Sequence, residues 1–485
     1  REEIKMTTRS KHDDTDFSVP LNRFSQEKCG KIHAASLEIL DRVGARVQME
    51  EAIQLLKKAG AKVNDDNLVR IPSHLVENAL ATAPKKVVLS DRHARPAMHL
   101  GNHNCYYGPG SDCLNIIDHR TGKRRNPIIK DVVEGVKLCD SIENINFVMS
   151  MVLPSNVDQS TADRFQMEAM LSYSTKPIIF VSYDFSGCVD SVEMAEAVMG
   201  GAESLSKNPL IACYINVPTG LLHNEDSLRK LLFLAERNIP SLYIPSSTEG
   251  ASSPITTAGA IALDYAGVLV GLVLSQLKRE GAPIIVPGMS PGPLDMRTAV
   301  SLYCDPEQGI MQSMAKFYGL PMFSLGGASE SKTVDPQAAA EASLSLLFET
   351  LTGSDLIHDL GYLESGLSFS FSHLVICDEI VNWIKAFTKD VKVNEETLAL
   401  DVIEKAGPEG NYLVTEHTRK HYKERWYPHL FERDTYGSWI EKGGKTLVER
   451  AADKVDQILS EHEPESLPSK IKEKLKGIVH RTKRN

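Results

Sequence analysis

Residues 177–184 read PIIFVSYD, an apolar run that begins at a proline and ends in polar side chains. Four later segments repeat this pattern: residues 209–217 (PLIACYINV), 240–246 (PSLYIPS), 283–288 (PIIVPG) and 321–327 (PMFSLGG). Proline is tolerated at the first position of a strand, and runs that are apolar on both faces are typical of parallel strands covered by helices. The runs start 32, 31, 43 and 38 residues apart, and segments with helical periodicity follow them, for example at residues 193–205, 228–237 and 338–350. This repeated unit predicts a TIM-type (β/α)8 barrel of the α/β class, in which chemistry occurs at the carboxyl ends of the strands.

The sequence on either side of the repeats predicts three regions. Residues 1–100 are expected to form an N-terminal helical region, residues 101–390 the barrel, and residues 391–485 a C-terminal helical extension. Seven barrel strands can be counted: the five that begin at prolines, one at residues 146–153 and one at residues 355–360. Residues 105–117 supply either the eighth strand or a separate hairpin over the mouth, with a turn expected at residues 108–110.

Composition argues against several classes of protein. The chain has 485 residues, 42% hydrophobic and 24% charged, with 54 basic and 64 acidic residues and a formal net charge of −10. This balance disfavours nucleic acid or an anionic membrane as a partner over a broad surface. Eight cysteines include no Cys-x-x-Cys pair, which favours buried thiols over a zinc site or a disulfide scaffold.

Two further features favour a cytoplasmic protein with no membrane span. The N-terminal stretch is charged and has no apolar run, so we expect no secretory signal. Residues 258–277 are nearly long enough to cross a bilayer, but Asp264 would lie in the interior of the span at a cost of about 3 kcal/mol. The segment also falls between two predicted strands, which predicts a buried helix that packs on the barrel.

The predicted strand ends carry Tyr, Ser, Thr and Asn with a few carboxylates and one histidine. No strand has His-x-His or Asp-x-Asp, which metal-dependent barrel hydrolases need. No strand has a lysine in its middle for a Schiff base, and neither Gly-x-Gly-x-x-Gly nor a P-loop is present. The pattern therefore favours a site for a small polar or cationic molecule, with no metal ligand set.

Each candidate also has a structural interpretation. Asp184 either contacts a ligand or caps the following helix, and the same two interpretations apply to Glu249, which follows a Ser-Ser-Thr run. Gly326 and Gly327 either permit a tight turn or bind a phosphate, as the turns after late strands of some barrels do. His358 is either catalytic or a hydrogen-bonded core histidine.

Two long segments resemble the trimethylamine methyltransferase family: residues 323–347 (FSLGGASESKTVDPQAAAEASLSLL) and 353–380 (GSDLIHDLGYLESGLSFSFSHLVICDEI). Residues 108–118 (GPGSDCLNIID) and the tail near residues 420–434 look similar too, so the resemblance extends over residues 25–452. It implies a barrel that binds a methylated amine and passes a methyl group to cob(I)alamin, which a separate corrinoid protein carries. It also implies that no cofactor is bound permanently.

The founding branch of that family contains pyrrolysine, and this chain has only standard residues. Branches without pyrrolysine that have a known role act on quaternary amines. The resemblance therefore implies a quaternary amine, glycine betaine first, as the substrate, with dimethylglycine and methylcobalamin as the products.

The chemistry of that reaction agrees with the predicted pocket. A quaternary nitrogen leaves as a neutral amine without prior protonation, so the protein needs to place the methyl group and to exclude water. A trimethylammonium head donates no N–H, and aromatic faces hold it with about 0.5–2 kcal/mol each. We assign His358 and Glu249 as catalytic residues, with Glu249 or Asp184 near the cation. Predicted substrate contacts are Tyr106, Tyr107, Tyr183, Asp184, Gly326, Gly327, Lys332, Tyr362 and Phe369. The carboxylate of the substrate would bind to His358, to Lys332 or to the backbone N–H groups of the glycine turn.

Three alternatives stay open. The first is the same reaction on carnitine, proline betaine or another methylated amine. The second is a phosphate-binding barrel lyase or isomerase that uses Gly326, Gly327 and Lys332, and the third is a non-catalytic binder of betaine-like solutes. Fold alone does not choose among them. Homo-oligomers are common among enzymes of this kind, and no segment decides whether this chain forms one.

Overall fold

The computed structural model describes residues 21–101, 104–289, 292–304 and 310–481, so the first part of the predicted N-terminal region lies outside the described residues. Within these residues, seven parallel strands form one sheet. They are β1 Tyr106–Pro109, β2 Ile178–Val181, β3 Ile211–Val217, β4 Ser241–Pro245, β5 Ile284–Pro287, β6 Met322–Leu325 and β7 Leu356–Leu360. Their order in the sheet is β1-β7-β6-β5-β4-β3-β2, with β1 and β2 at the edges.

An irregular segment joins the two edge strands and completes the barrel. Parallel bridges pair Tyr107 with Ile145 and Val148 with Ile178, and the Asn146 N–H donates to the Tyr107 carbonyl at 2.7 Å. The segment predicted as a strand at residues 146–153 is thus a row of isolated bridges. The predicted TIM-type barrel is confirmed, and residues 106–109 supply the strand that the sequence left open.

Each of five strands begins just after a proline, as expected for a residue that has no N–H to donate to a neighbouring strand. Strands β2 to β6 begin one or two residues after Pro177, Pro209, Pro240, Pro283 and Pro321. Strands β4, β5, β6 and β7 are buried at every residue, because one face meets the barrel interior and the other meets the helices.

A hairpin closes the amino end of the barrel. Strands Val87–Ser90 and Pro96–Leu100 pair antiparallel, and the Ser90 N–H donates to the carbonyl of Pro209, just before β3, at 2.8 Å. Apolar residues of the hairpin cluster with interior residues of the barrel, including Leu89 with Phe147 and Leu356. Ligands therefore enter from the carboxyl end.

A second sheet lies on the carboxyl side, where the chain leaves β1 and β7. Its strands, in order, are Tyr362–Leu363, Ser368–Ser370, Asn115–Ile117 and Arg124–Arg125. The turn predicted at residues 108–110 was wrong, because β1 continues to Pro109. The glycines serve close packing instead: a Cβ on Gly108 would lie 2.4 Å from the Phe147 ring.

The remaining elements surround the barrel. The other strands are Ala45–Val47, Lys62–Val63, Leu68–Arg70 and Leu222–His223. The helices up to residue 388 are Gln26–Arg42, Glu50–Lys58, Ser73–Thr82, Ile129–Ser141, Ala162–Tyr173, Phe185–Met199, Ala202–Lys207, Glu225–Arg237, Thr257–Lys278, Gln312–Tyr318, Pro336–Thr352 and Phe371–Thr388, with a 3-10 turn at Gln159–Thr161. The single helix predicted over residues 193–205 is divided by Gly200 and Gly201, which both take positive φ.

The long apolar helix Thr257–Lys278 is a core helix. Within the described chain it is the one helix long and apolar enough to cross a membrane, and 78% of its most apolar window is buried inside the protein. Helices Gln26–Arg42 and Ser73–Thr82 pack against it on the side away from the barrel strands. Its apolar composition is therefore explained by packing on two layers of the fold.

The C-terminal extension continues as short helices over a barrel surface. These are Glu395–Leu398, Leu400–Ala406, Glu416–His421, Tyr436–Glu441, Leu447–Glu461 and Ser469–Val479, with a 3-10 turn at Tyr422–Glu424. Leu447–Glu461 packs on Phe371–Thr388, and Ser469–Val479 packs on Phe185–Met199. The stretch between residues 389 and 446 leaves many apolar side chains exposed, for example Leu413 and Val414.

Candidate active site at the carboxyl end of the barrel

A bulge near the end of β7 forms the centre of the site. Strand β7 pairs in parallel with β1, and the register shifts between Ile357 and Leu360, so β7 holds one residue more than its partner. Asp359 lies inside the bulge with φ of 77°, a conformation that few residues other than glycine, Asn and Asp adopt. A bulge of this kind redirects a side chain, which places His358 and Asp359 side by side instead of on opposite faces of the sheet.

His358 is held as a neutral imidazole. Its Nδ1 lies 2.6 Å from the Ser324 carbonyl oxygen, which only accepts, so Nδ1 carries the proton and donates. The ring stacks on Phe323 with centroids 3.8 Å apart. Burial lowers the pKa of the imidazole to about 3, so the ring is uncharged at neutral pH and its Nε2 is an acceptor.

Asp359 presents a buried carboxyl group beside that acceptor. Its Oδ1 lies 3.3 Å from His358 Nε2, and the residue is only 3% exposed. Burial raises the pKa of the Asp359 carboxyl well above its ordinary value. A protonated Asp359 beside a neutral His358 leaves neither of these buried groups charged.

Aromatic rings from three parts of the fold lie in the region of Asp359. They are Tyr214 on β3, Tyr303 in the segment after β5, and Tyr362 just after β7. Burial raises the pKa of each phenol, and the charge of Asp359 adds to each increase. Tyr214 also meets Phe323, with ring centroids 5.5 Å apart.

A glycine directly after β1 makes room for this arrangement. A Cβ on Gly110 would lie 2.1 Å from Asp359 Oδ1 and 2.3 Å from Tyr362 Cζ, closer than any real contact, so the carboxyl and the phenol fill the space that a side chain would take. The Tyr362 hydroxyl donates to the Ser111 carbonyl.

Two acidic side chains support the walls of the site. Glu330 accepts from the N–H of Cys304 at 3.2 Å and from the N–H of Tyr303, so it fixes the segment that carries the Tyr303 ring. Asp112 accepts from Gln166 Nε2 at 2.8 Å and from the Ser150 hydroxyl at 3.0 Å, and burial raises the pKa of its carboxyl.

Of the residues predicted from the sequence, the structure brings His358, Tyr362 and Phe369 together. Phe369 is fully buried and meets Tyr362 edge-on, with centroids 6.3 Å apart. It therefore backs the Tyr362 ring.

Four predicted residues lie away from this group. Tyr106 is at the amino end of β1, where its hydroxyl accepts from the His99 N–H at 2.9 Å. Tyr107 points to the helices and bonds the Thr350 hydroxyl at 2.8 Å. Lys332 is exposed and donates to the Glu330 carbonyl at 2.7 Å. Asp184 caps helix Phe185–Met199 by accepting from the Gly187 N–H at 2.7 Å.

Gly326 and Gly327 form a packed turn. The Gly326 N–H donates to the His358 carbonyl at 3.0 Å, and the Gly327 N–H donates to the Ser345 hydroxyl at 3.0 Å. Both N–H groups are thus engaged within the protein, which leaves neither for the phosphate or carboxylate that the sequence suggested.

Tyr183 and Glu249 lie on the loops of the mouth. Tyr183 is 68% exposed at the end of β2, where it forms part of the rim. Glu249 is buried, and its backbone pairs with the loop after β5: its N–H donates to the Gly292 carbonyl at 3.2 Å and its carbonyl accepts from the Leu294 N–H at 3.1 Å. It therefore anchors the segment that leads to Tyr303.

Sequence reasoning placed Asp359 in a stretch that faces the pocket, residues 358–364, but gave it no role, and it missed Tyr214, Tyr303 and Phe323. Tyr214 alternates with Ala212 along β3, so its inward direction follows once one face of that strand is known to be interior. Asp359 gave no such signal, because alternation puts it on the face opposite to His358. Tyr303 lies in a segment without regular structure.

The family of the chain follows from its whole length. A family model described as trimethylamine methyltransferase (MTTB) matches residues 4–485. The chain belongs to the trimethylamine methyltransferase family. The resemblance noted in the sequence is thereby confirmed.

Relatives within the family carry names for more than one substrate. Trimethylamine methyltransferase MttB of Desulfitobacterium hafniense (strain DSM 10664 / DCB-2) is 31% identical over 465 residues, 95% of this chain and 93% of the relative. Glycine betaine methyltransferase of Desulfitobacterium hafniense (strain Y51) is 29% identical over 465 residues, 94% of this chain and 96% of the relative. The identities of 31% and 29% are too similar to decide between the two substrates that these names give.

A solved structure agrees with the fold. Monomethylamine methyltransferase (MtmB) of Methanosarcina barkeri superposes with a TM-score of 0.50 at 12% identity, over 92% of this chain and 89% of that chain. At this identity the match supports the barrel alone. Among the described residues, no group of three or more His, Cys, Asp or Glu side chains is arranged to hold a metal ion.

Proposed function

We propose that this methyltransferase moves a methyl group from a quaternary amine, glycine betaine first, to cob(I)alamin carried by a corrinoid protein, with dimethylglycine and methylcobalamin as products. The observation that carries the proposal is the buried carboxyl of Asp359, which lies next to Tyr362 and beside His358, whose ring stacks on Phe323 next to Tyr214. Aromatic faces and one carboxylate are the groups that recognise a trimethylammonium head, which donates no hydrogen bond.

The neutral His358 fits the same reaction. A quaternary nitrogen leaves as a neutral amine, so no acid has to protonate it, and an imidazole with a pKa of about 3 supplies no proton at neutral pH. We therefore assign His358 to positioning Asp359, through Nε2, and not to general acid catalysis. Water exclusion by the rings protects the reacting methyl group.

The corrinoid supplies a strongly nucleophilic Co(I) centre from the partner protein, which has to reach the barrel mouth. Large apolar side chains are exposed on the loops that follow the strands: Leu114, Tyr183, Ile255, Met296, Val300 and Leu367, called the rim residues below. An exposed apolar ring around a polar mouth is typical of a docking surface. Cob(I)alamin is easily oxidised, so we place the reaction in the reducing cytoplasm, where the eight free cysteines stay thiols.

The test is methylcobalamin formation, followed by visible absorbance with reduced corrinoid protein. Glycine betaine, carnitine, proline betaine and trimethylamine are offered in turn. We expect methylcobalamin and dimethylglycine with glycine betaine. A response to another of these amines changes the substrate and keeps the reaction. No response to any of them, with a cognate corrinoid protein, overturns the proposal, and binding without transfer would identify a solute-binding protein instead.

A further inference from the structure

Among the described residues, the groups near Asp359 offer it no positive charge. His358 is beside it on β7, Tyr214 faces it from β3 and Tyr303 from the segment after β5. Cys113 lies near it from the segment after β1, with Asp112 close by, and Tyr362 and Glu364 follow it in the chain. Arg124 and Lys332 act on Glu364, whose Oε2 accepts from Arg124 Nε at 3.0 Å.

A buried carboxylate without a cation is costly, because an isolated charge loses its hydration. In the free protein this cost favours the protonated carboxyl of Asp359, whose Oδ1 lies 3.3 Å from Nε2 of the uncharged His358. When a quaternary ammonium head binds among the rings, the ionised form of Asp359 becomes the favoured one, because the carboxylate then has a counter-charge within the same low-dielectric site.

We propose that a quaternary amine binds to this site in exchange for the proton of Asp359, so that cation and proton occupy the site alternately. The inference rests on the proposed function and deepens it by naming the counter-charge and a step that couples binding to solvent protons. It makes Asp359 a specificity residue: a neutral isostere of the substrate has no charge with which to displace the proton.

The exchange balances over one turnover. On binding, the Asp359 O–H bond breaks, the proton goes to solvent, and carboxylate and cation form an ion pair. The N–CH3 bond then breaks with its electron pair on nitrogen, and the methyl group takes the electron pair of Co(I). The amine is now neutral, so Asp359 regains a proton from solvent, and the ion pair that held the substrate no longer holds the product.

The bulge allows a clean variant. Asn adopts positive φ at least as readily as Asp, and it matches Asp in size, so Asp359→Asn keeps the backbone and removes the ionisable group. Asp335→Asn is the matched control, because Asp335 caps helix Pro336–Thr352 and Asn caps equally well.

The experiment is calorimetric titration of the full-length protein with glycine betaine in two buffers of different ionisation enthalpy, which counts protons released on binding. Carnitine and proline betaine are the further probes. Near neutral pH, we expect about one proton to be released for each amine bound. At pH values below the pKa of the carboxyl, the affinity should increase by up to about tenfold for each unit by which the pH is raised. Asp359→Asn should release no proton and show no pH slope, and Asp335→Asn should behave as wild type.

Binding without proton release overturns the inference, and methylcobalamin formation then shows that the proposed function still holds. Proton release without methyl transfer supports the exchange and overturns the proposed function. No binding by any of the three amines overturns both. If Asp359→Asn does not fold, infrared difference spectroscopy of the wild type decides: the band of a protonated carboxyl should disappear when glycine betaine is added, and a band that persists contradicts the exchange.

Discussion

At the scale of single residues, the site depends on one side chain in an unusual backbone conformation. Asp359 combines a φ of 77° with near-complete burial, and strained, buried polar residues of this kind cluster at functional sites. Its neighbour His358 is fixed by a carbonyl on one nitrogen and faces the carboxyl with the other. Together they place a buried ionisable carboxyl and an uncharged imidazole next to the aromatic rings of the site.

The ring of Tyr214 should bind the cation through its face. Tyr214→Phe keeps that face, so we expect amine affinity to change little. Tyr214→Leu removes it and should weaken binding by about 0.5–2 kcal/mol, roughly 2- to 30-fold. Calorimetric affinities for glycine betaine compare the two variants. Equal losses in both would show that the hydroxyl, not the ring, makes the contact.

At the scale of elements, the ends of strands and helices decide which polar residues reach the site. The extra residue on β7 turns Asp359 inward. At the end of β2, by contrast, the chain enters helix Phe185–Met199 at once, and Asp184 is taken up by the helix terminus. The same residue type is thus a ligand candidate on one strand and a cap on another.

Asp184 should affect stability and leave substrate affinity unchanged. Asp184→Ala removes the acceptor for the Gly187 N–H and should lower the free energy of unfolding by about 1 kcal/mol. Asp184→Asn keeps a capping oxygen and should lose only a few tenths of that amount. Urea denaturation measures stability and calorimetry measures affinity. A large loss of affinity in Asp184→Asn would instead support the counter-charge role that the sequence suggested.

Helix Thr257–Lys278 carries a buried acid that should make stability depend on pH. Burial raises the pKa of Asp264 to about 7, above its value in the unfolded chain. The folded state therefore binds the extra proton between about pH 4 and 7, and the free energy of unfolding falls as pH rises through that window, by on the order of 1 kcal/mol per pH unit. Above it, both states are ionised and the dependence ends.

Asp264→Asn should flatten this profile and raise stability above about pH 7, because Asn keeps an oxygen for the Ser247 N–H, 3.3 Å from Asp264 in the wild type. Burial likewise raises the pKa of Glu349 and of Asp355 to about 7, so part of the slope should remain. Thermal unfolding at several pH values measures the change. An unchanged slope in Asp264→Asn would show that this carboxyl is ionised throughout.

At the scale of the whole molecule, the two ends of the barrel have different roles. The hairpin Val87–Ser90 and Pro96–Leu100 fills the amino end with apolar side chains, while the carboxyl end is framed by the second sheet and the rim residues. The C-terminal extension exposes further apolar side chains away from the strands. The formation of a homo-oligomer stays a prediction.

The rim residues should matter for transfer to the partner more than for binding of the amine. Ile255 and Met296 are neighbours, since a Cβ on Gly250 would meet both within 3 Å, at 2.9 and 2.8 Å. Ile255→Asp and Met296→Asp should each lower kcat/KM for the corrinoid protein about tenfold or more and leave amine affinity unchanged. Val43→Asp is a matched control, because Val43 is an exposed apolar residue that follows helix Gln26–Arg42. Equal effects of all three would remove the rim from the docking surface.

The sequence by itself determined the repeated strands, the barrel and the family. The apolar runs that follow prolines and alternate with helical segments can be recognised from the local sequence. Because each run is apolar at successive positions, it also predicts a strand that is buried on both faces. The two family segments include β7 and all of β6 except its first residue, so the region of the site was also identified. What local pattern does not contain is the direction of a side chain at the end of a strand.

Only the tertiary structure decided which residues form the site. Pairing between β7 and β1 creates the bulge at Asp359, and a regular strand predicts the opposite direction for it. Tyr303 reaches the same point from an irregular segment that Glu330 holds in place. Tyr107, Asp184 and the Gly326 N–H, which the sequence favoured, are engaged by helices and neighbouring strands. Contacts between segments distant in the chain fix these outcomes, because burial and hydrogen bonding are satisfied by the fold as a whole and not by each strand alone.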